Sequence, residues 1–271
     1  MLKQERLERI EKLLQTHKTV QVQDIMTELG VSDMTVRRYL DELEKEGKLV
    51  RVRGGAQAVD YSIDHELTHV EKSVMHMDQK LEAAKAAASL IQAHDTIYIG
   101  PGTTMELLAD QINTFPIRVI TNSLPVFEVM KKKDPDSCIL IGGRYRRTTD
   151  CFTGVLTNSI LEKINVAKAF ISCNGIVSDK ITTSSLEEGE AQRIALENAK
   201  YRFLVVDESK FNREDFYTYY RLYHFTALIC DNQVSDQTLE PYADTVKICK
   251  AAALLNEMEK RKEEEHEKYD L

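Results

Sequence analysis

Two groups of residues in this chain have the types and spacing to do chemistry. The first is Ser32, Thr35, Arg37, Arg38 and Tyr39, followed by Arg51, Arg53 and the pair Gly54-Gly55. An arginine presents a planar fork of N–H donors that meets guanine O6 and N7, or a phosphate, with two parallel bonds, so clustered arginines suit duplex DNA. The second group begins where the apolar run TIYI ends, at Gly100-Pro101-Gly102-Thr103-Thr104. Backbone N–H groups and hydroxyls at the opening of a helix bind anions, phosphate above all. Polar groups also follow later apolar runs: Asn122 and Ser123, Gly143 and Arg144, Asn174, then Asp207 and Lys210, with Glu190 nearby. Lys210 can pair with a phosphate, whereas Asn122, Asn174, Glu190 and Asp207 can bond sugar hydroxyls. Taken singly, each is explained by capping or turn chemistry. Their convergence at strand ends describes a site for a small phosphorylated polyol. Neither the G-x-x-x-x-G-K phosphate loop nor the G-x-G-x-x-G dinucleotide fingerprint is present.

The first group needs a helical frame. Leu7, Ile10, Leu13 and Leu14 recur at the helical period and predict a helix over 3–15. Val22, Ile25, Met26 and Leu29 predict a second helix, closed by Gly30. Ser32 or Asp33 caps a third, which stops at Gly47. With Met34, Val36, Leu40 and Leu43 turned inward, Thr35, Arg38, Tyr39 and Glu42 share the opposite face and Arg37 lies at its edge. Leu49, Arg51 and Arg53 then alternate with Val50 and Val52 up to the glycine pair, as in a short hairpin whose arginines grip the DNA backbone while the glycines allow close approach. This order is that of a winged helix-turn-helix, whose third helix enters the major groove. A helical bundle with a solvated basic face would accommodate any one of these arginines, but not the capped turn, helix and hairpin together.

The second group needs a sheet. Residues 59–77 have no strong pattern and carry three histidines; they read as a linker, and no metal is required. From Asp78 an alanine-rich helix leads into TIYIG, and RVIT, CILIGG, AKAFISC, RFLVV and TALIC follow as apolar runs separated by helical stretches. Alternating strands and helices imply a mostly parallel sheet covered on both faces, with ligands outside the carboxyl ends of its strands. Residues 78–250 therefore read as an α/β domain, and 251–271 as a charged C-terminal helix or tail.

The chain has 271 residues and a net charge of −8. Residues 1–58 hold 11 Lys and Arg against 10 Asp and Glu, so this segment carries +1 and the remainder −9. No apolar run is long enough to span a membrane and the start is charged, so a cytoplasmic protein without a membrane partner is expected. The five cysteines are odd in number and widely spaced, which predicts reduced core residues rather than disulfides. No cofactor is called for.

VSDMTVRRYLDELEKEGKLVRVRGGA resembles the DNA-binding head of the DeoR family of bacterial transcriptional regulators, across turn, recognition helix and wing. The body resembles that family's effector domain, related in fold to ribose 5-phosphate isomerase and sugar-phosphate deaminases. Within the family, GPGTTMELLAD, VITNSLPV, LIGG and DESK resemble the branch that answers to tagatose phosphates. The resemblance implies a homodimeric or homotetrameric repressor of a carbohydrate operon, bound to double-stranded operator DNA and relieved by a sugar phosphate. Two departures bear on specificity: Tyr39 stands where the family usually has aspartate, and GGRYRRTTD carries three arginines. An activator fits the same residues. So does a sugar-phosphate isomerase with an accessory head, for which Glu187, Glu188 and Glu190 are the candidate bases.

Overall fold

A computed structural model describes residues 3–17, 19–45, 48–52, 54–58 and 66–269, and the chain forms two compact units, one built from residues 1–62 and the other from the bulk of 63–271. The first unit contains α1 (Lys3–His17), β1 (Thr19–Gln21), α2 (Val22–Leu29), α3 (Asp33–Lys45), β2 (Leu49–Val52) and β3 (Gly55–Ala58). Its core gathers Leu7, Ile10 and Leu14 of α1 with Ile25 and Leu29 of α2 and Val36, Leu40 and Leu43 of α3.

Two residues of α3 reverse their expected sides. Met34 is 81% exposed and Tyr39 only 3%. At about 100° per residue, Tyr39 lies within one turn of Val36, Leu40 and Leu43, whereas Met34 falls about 200° from Val36. The Tyr39 ring therefore joins the core, and its hydroxyl accepts a bond from Arg6 Nη1 at 3.2 Å. The sheet also differs from a simple hairpin. β1, which has no strong sequence signal, pairs with β3, giving the antiparallel order β1-β3-β2.

The second unit opens with α4 (His69–Ser73), α5 (Met77–Ala88), β4 (Thr96–Ile99), α6 (Thr103–Gln111), β5 (Arg118–Thr121), α7 (Leu124–Lys133) and β6 (Cys138–Leu140). The hairpin β7 (Arg144–Arg146) and β8 (Cys151–Thr153) leads through α8 (Val155–Leu161) to β9 (Val166–Ile171), β10 (Gly175–Val177) and β11 (Lys180–Thr183). Then come α9 (Leu186–Glu197), β12 (Ala199–Val206), β13 (Tyr217–Arg221), β14 (Ala227–Cys230), α10 (Asp236–Leu239), β15 (Ile248–Lys250) and α11 (Ala251–Tyr269).

Seven strands form one parallel sheet in the order β15-β14-β12-β9-β4-β5-β6. Each of the six apolar runs supplies one strand, and the short β15 adds the seventh. Side chains alternate between the faces: Ile97, Ile99, Phe170, Phe203 and Val205 pack on one side, Tyr98, Ala169, Ile171, Leu204 and Val206 on the other. Burying each large apolar side chain stabilises the fold by about 1.5–3 kcal/mol, which is why a two-faced sheet reads as continuous apolar runs. A separate antiparallel sheet, β10-β11-β13, stands beside this layer. None of the five cysteines is joined in a disulfide.

Two expected boundaries shift. Residues 59–65 of the expected linker lie outside the described residues, but 66–77 are not a bare connection: Thr68 caps α4 and the Met77 end opens α5. The sequence hid α4 because it is barely more than one turn and buries none of its residues. The C-terminal segment is helical, and its start is core, with Ala251 and Leu254 packed against the sheet. No helix among the described residues is long and apolar enough to cross a membrane.

Candidate functional site

In the first unit, the exposed face of α3 carries Met34, Arg37 and Arg38. Ser32 and Thr35 stand at its start, their hydroxyls 3.0 Å apart. Arg37 folds back onto Asp33, Nε to Oδ1 at 2.5 Å and Nη2 to Oδ2 at 3.2 Å, and this bond holds the Asp33 carboxyl below the usual carboxylate range. The guanidinium of Arg38 lies 5.7 Å from the centre of the Tyr39 ring.

Arg51 is not a free phosphate grip. Its Nη1 donates to Asp41 Oδ1 at 2.7 Å and to the Arg37 carbonyl at 3.2 Å, and its backbone N–H donates to Glu44 at 2.9 Å. It fastens β2 to the recognition helix. Arg53 lies outside the described residues. The two glycines part company: Gly54 is exposed at the turn, whereas Gly55 is buried and a Cβ there would lie 2.2 Å from the Val20 carbonyl oxygen. Gly55 serves the close approach of β1, not of DNA. Tyr39, being core, likewise leaves the surface set. What remains exposed is Ser32, Arg37, Arg38 and Gly54 with partly buried Thr35, and Met34, whose apolar side chain suits a thymine methyl, joins them.

In the second unit, β4 and β9 are neighbours from which the chain winds outward in opposite directions, and a cleft opens at their carboxyl ends. This is where open α/β sheets bind ligands. From the end of β4, Gly102 takes a φ of 126°, which L side chains rarely adopt, and presents Thr103 and Thr104 at the first turn of α6. From the end of β9 come Ser172, Cys173 and Asn174. Lys210 enters from the turn after β12. Glu188 and Gln192, four apart on α9, face the cleft together; Tyr219 holds Gln192 in place with a 3.2 Å contact from its hydroxyl.

Sequence reasoning missed two lysines. Lys72 of α4 and Lys80 of α5 both line the cleft, Lys80 on a helix whose alanines press against the sheet. Lys72 Nζ donates to Asn174 Oδ1 at 3.2 Å, and Lys80 Nζ donates to the Lys72 carbonyl. Burial pushes both ammonium groups down, Lys80 to about 8, with Lys210 adding repulsion at each. Three lysines and the N-terminus of α6 around one cleft are groups whose charge and N–H donors attract anions. Opposite them, burial raises the Glu188 carboxyl, against the pull of Arg146 and Lys72.

The remaining expected ligand residues stand elsewhere for identifiable reasons. Asn122 is wholly buried, accepting from the Tyr98 hydroxyl at 2.8 Å and donating to the Phe152 carbonyl at 2.7 Å. Ser123 caps α7. Gly100 packs on Ile171, and a Cβ at Gly143 would overlap Thr157. Arg144 is exposed on its hairpin, and Glu190 pairs with Arg193 at 2.7 Å. Asp207 is buried and caps the turn Glu208–Lys210. Strand-end position alone does not separate residues that cap from residues that line. Gly102, Thr103, Thr104, Asn174 and Lys210 do come together. No cluster of metal-ligating side chains occurs among the described residues.

Two family models match the chain: the DeoR-like helix-turn-helix domain over residues 6–61 and the DeoR C terminal sensor domain over residues 75–232. The lactose phosphotransferase system repressor of Streptococcus mutans is 42% identical over 91% of this chain and 100% of its own length. That of Lactococcus lactis is 42% identical over 93% of this chain and all of its own. Among solved structures, ribose 5-phosphate isomerase A from Neisseria gonorrhoeae aligns at 14% identity over 48% of this chain and 52% of its own, with a TM-score of 0.35.

Proposed function

This chain belongs to the DeoR family of transcriptional regulators, and from that premise we propose that it represses a sugar-utilisation operon and releases its operator when a phosphorylated sugar enters the cleft. The first unit supplies the recognition helix, with Arg38 and Thr35 reaching base edges, Arg37 joining them once it leaves Asp33, and Arg53 reaching the phosphates. In the second, the phosphate sits on the N-terminus of α6 among Lys72, Lys80 and Lys210, while Glu188, Gln192 and Asn174 bond the sugar hydroxyls. The observation that carries this reading is the gathering of three lysines in a unit that is otherwise strongly acidic. Local positive charge of that kind is costly to bury without an anionic occupant.

The named relatives are repressors rather than enzymes. Of the candidate bases Glu187, Glu188 and Glu190, Glu188 lines the cleft, and there it accepts from Thr149 Oγ1 at 2.9 Å and lies 3.5 Å from Arg146 Nη1, contacts that hold it as a hydrogen-bond acceptor. A ketohexose phosphate such as tagatose 6-phosphate is the favoured ligand, as the resemblance of GPGTTMELLAD, VITNSLPV, LIGG and DESK to the branch that answers to tagatose phosphates implies. Paired heads reading paired half-sites call for a homodimer or homotetramer, in the cytoplasm.

Thermal unfolding tests the ligand. Tagatose 6-phosphate should raise the melting temperature, by the stabilisation RT ln(1 + [L]/Kd) that a ligand of the folded state confers, whereas free tagatose should not. Equal shifts with both sugars, or none with either, would remove the phosphate site. Return of the sugar phosphate unchanged after incubation would accord with sensing; conversion to the aldose would not.

A further inference from the structure

The chain enters the second unit through Glu66–Ser73, and this strap is held to the cleft at several points. The Glu66 carboxylate receives two bonds from Arg146, one at 3.0 Å from Nη1 and a second from Nη2. Burial works against the Glu66 charge, but Arg146 and Ser184 outweigh it and hold the carboxyl below its usual range. Next along the strap, the His69 N–H donates to the Thr148 carbonyl at 2.7 Å. At its end, Lys72 bonds Asn174 through its side chain and Lys80 through its carbonyl.

Arg146 is shared. The nitrogen that bonds Glu66 also lies 3.1 Å from Thr149 Oγ1 and 3.5 Å from Glu188 Oε2, and Thr149 bonds that same Glu188 oxygen. Arg146 does not line the cleft, but Glu188, Thr149 and Lys72 do. An anion drawn to Lys72 competes with Asn174 for its ammonium. A hydroxyl donated to Glu188 Oε2 competes with Thr149 and Arg146, which both meet that oxygen. Whatever fills the cleft thus acts on the groups that hold the strap.

We infer that Glu66, Arg146 and Glu188 form the link by which the cleft controls the chain leading to the DNA-binding unit, with Arg146 as the positioning residue and the clamped strap as the operator-binding state. The inference rests on the reading of the cleft as an effector site, since that reading sets its sign: the occupied cleft loosens the strap, and the occupied protein releases DNA. An arginine shared between two carboxylates shifts its balance when one of them gains another partner, and coupling between sites requires a contact that both sites bias in this way.

The test uses the full chain and a duplex selected by the wild-type protein from a random-sequence pool. Without any sugar phosphate, Glu66→Gln and Arg146→Gln should each lower operator affinity at least tenfold, and the double variant should be no weaker than the weaker single one, because both break one link. Arg146→Lys, which keeps the charge but not the fork, should recover part of the loss. Glu66→Gln should still show the melting shift with tagatose 6-phosphate, since Glu66 is not a cleft residue; a general structural defect would lower both. Operator affinity within twofold of wild type in Glu66→Gln overturns the link. Should the variants fail to fold, hydrogen exchange on the wild type decides: amides of 66–73 should exchange several-fold faster with tagatose 6-phosphate, and unchanged exchange overturns the link. Absence of any tagatose 6-phosphate binding by the wild type would instead count against the proposed effector, leaving the operator affinity of Glu66→Gln to judge the link.

Discussion

Lys80 is 3% exposed on an alanine-rich helix, and burial with the nearby Lys210 brings its pKa to about 8. The unfolded chain, with an ordinary value of 10.5, binds more protons between those two pH values, so the stability of the unliganded protein should rise as pH increases through that window. A bound phosphate dianion reverses the preference and restores the charge. Tagatose 6-phosphate binding near pH 8.5 should therefore take up protons and weaken as pH rises. Calorimetry in two buffers of different ionisation enthalpy measures this uptake, and heats that do not depend on buffer would refute it. Of the site's residues, Gly102, Thr103, Thr104, Asn174 and Lys210 were legible because glycine, threonine and strand-end chemistry leave a local signature. Lys72, Lys80 and the Glu66–Arg146 pair were not, because their partners lie far along the chain and nothing nearby marks a charged residue as buried.

The proposed function assigns base reading to α3 and phosphate contact to the wing. Arg38, exposed on α3, should cost about 1–3 kcal/mol of operator binding when changed to alanine, and should relax preference at one base pair. Arg53→Ala should weaken all sequences alike and reduce the salt slope by about one. Binding titrations across salt concentrations and several duplexes distinguish them; a sequence-independent loss in Arg38→Ala would reassign that residue to the backbone. Gly55→Ala forces a Cβ onto the Val20 carbonyl and should destabilise the first unit by about 3 kcal/mol, whereas Gly54→Ala, strained only by its φ of 83°, should cost about 1 kcal/mol. Chemical denaturation gives both values, and equal costs would mean that β1 does not pass over Gly55. The three helices were readable from their 3.6-residue apolar period and the six main strands from their continuous apolar runs. β1, β15, α4, the hairpin β7-β8 and the sheet β10-β11-β13 are not legible because each element is too short to hold a clear period, and Met34 and Tyr39 exchange sides because an aromatic with a polar tip reads equally well on either face.

Over the whole chain, charge is divided between the two units, with a near-neutral head that exposes arginines preceding an acidic body that concentrates lysines in one cleft. The net negative charge of the body disfavours its contact with DNA phosphates, in accord with operator contact by the head. That a sugar phosphate in the cleft lowers operator affinity is tested most directly by titrating the selected operator duplex at one fixed salt concentration, with and without tagatose 6-phosphate, using wild type and Lys210→Met. Lys210 lines the cleft and belongs to the second unit, so the variant should bind operator as wild type does. Tagatose 6-phosphate should weaken wild-type binding at least tenfold and leave Lys210→Met on its operator. Equal release by the two proteins, or no release by wild type, would contradict it.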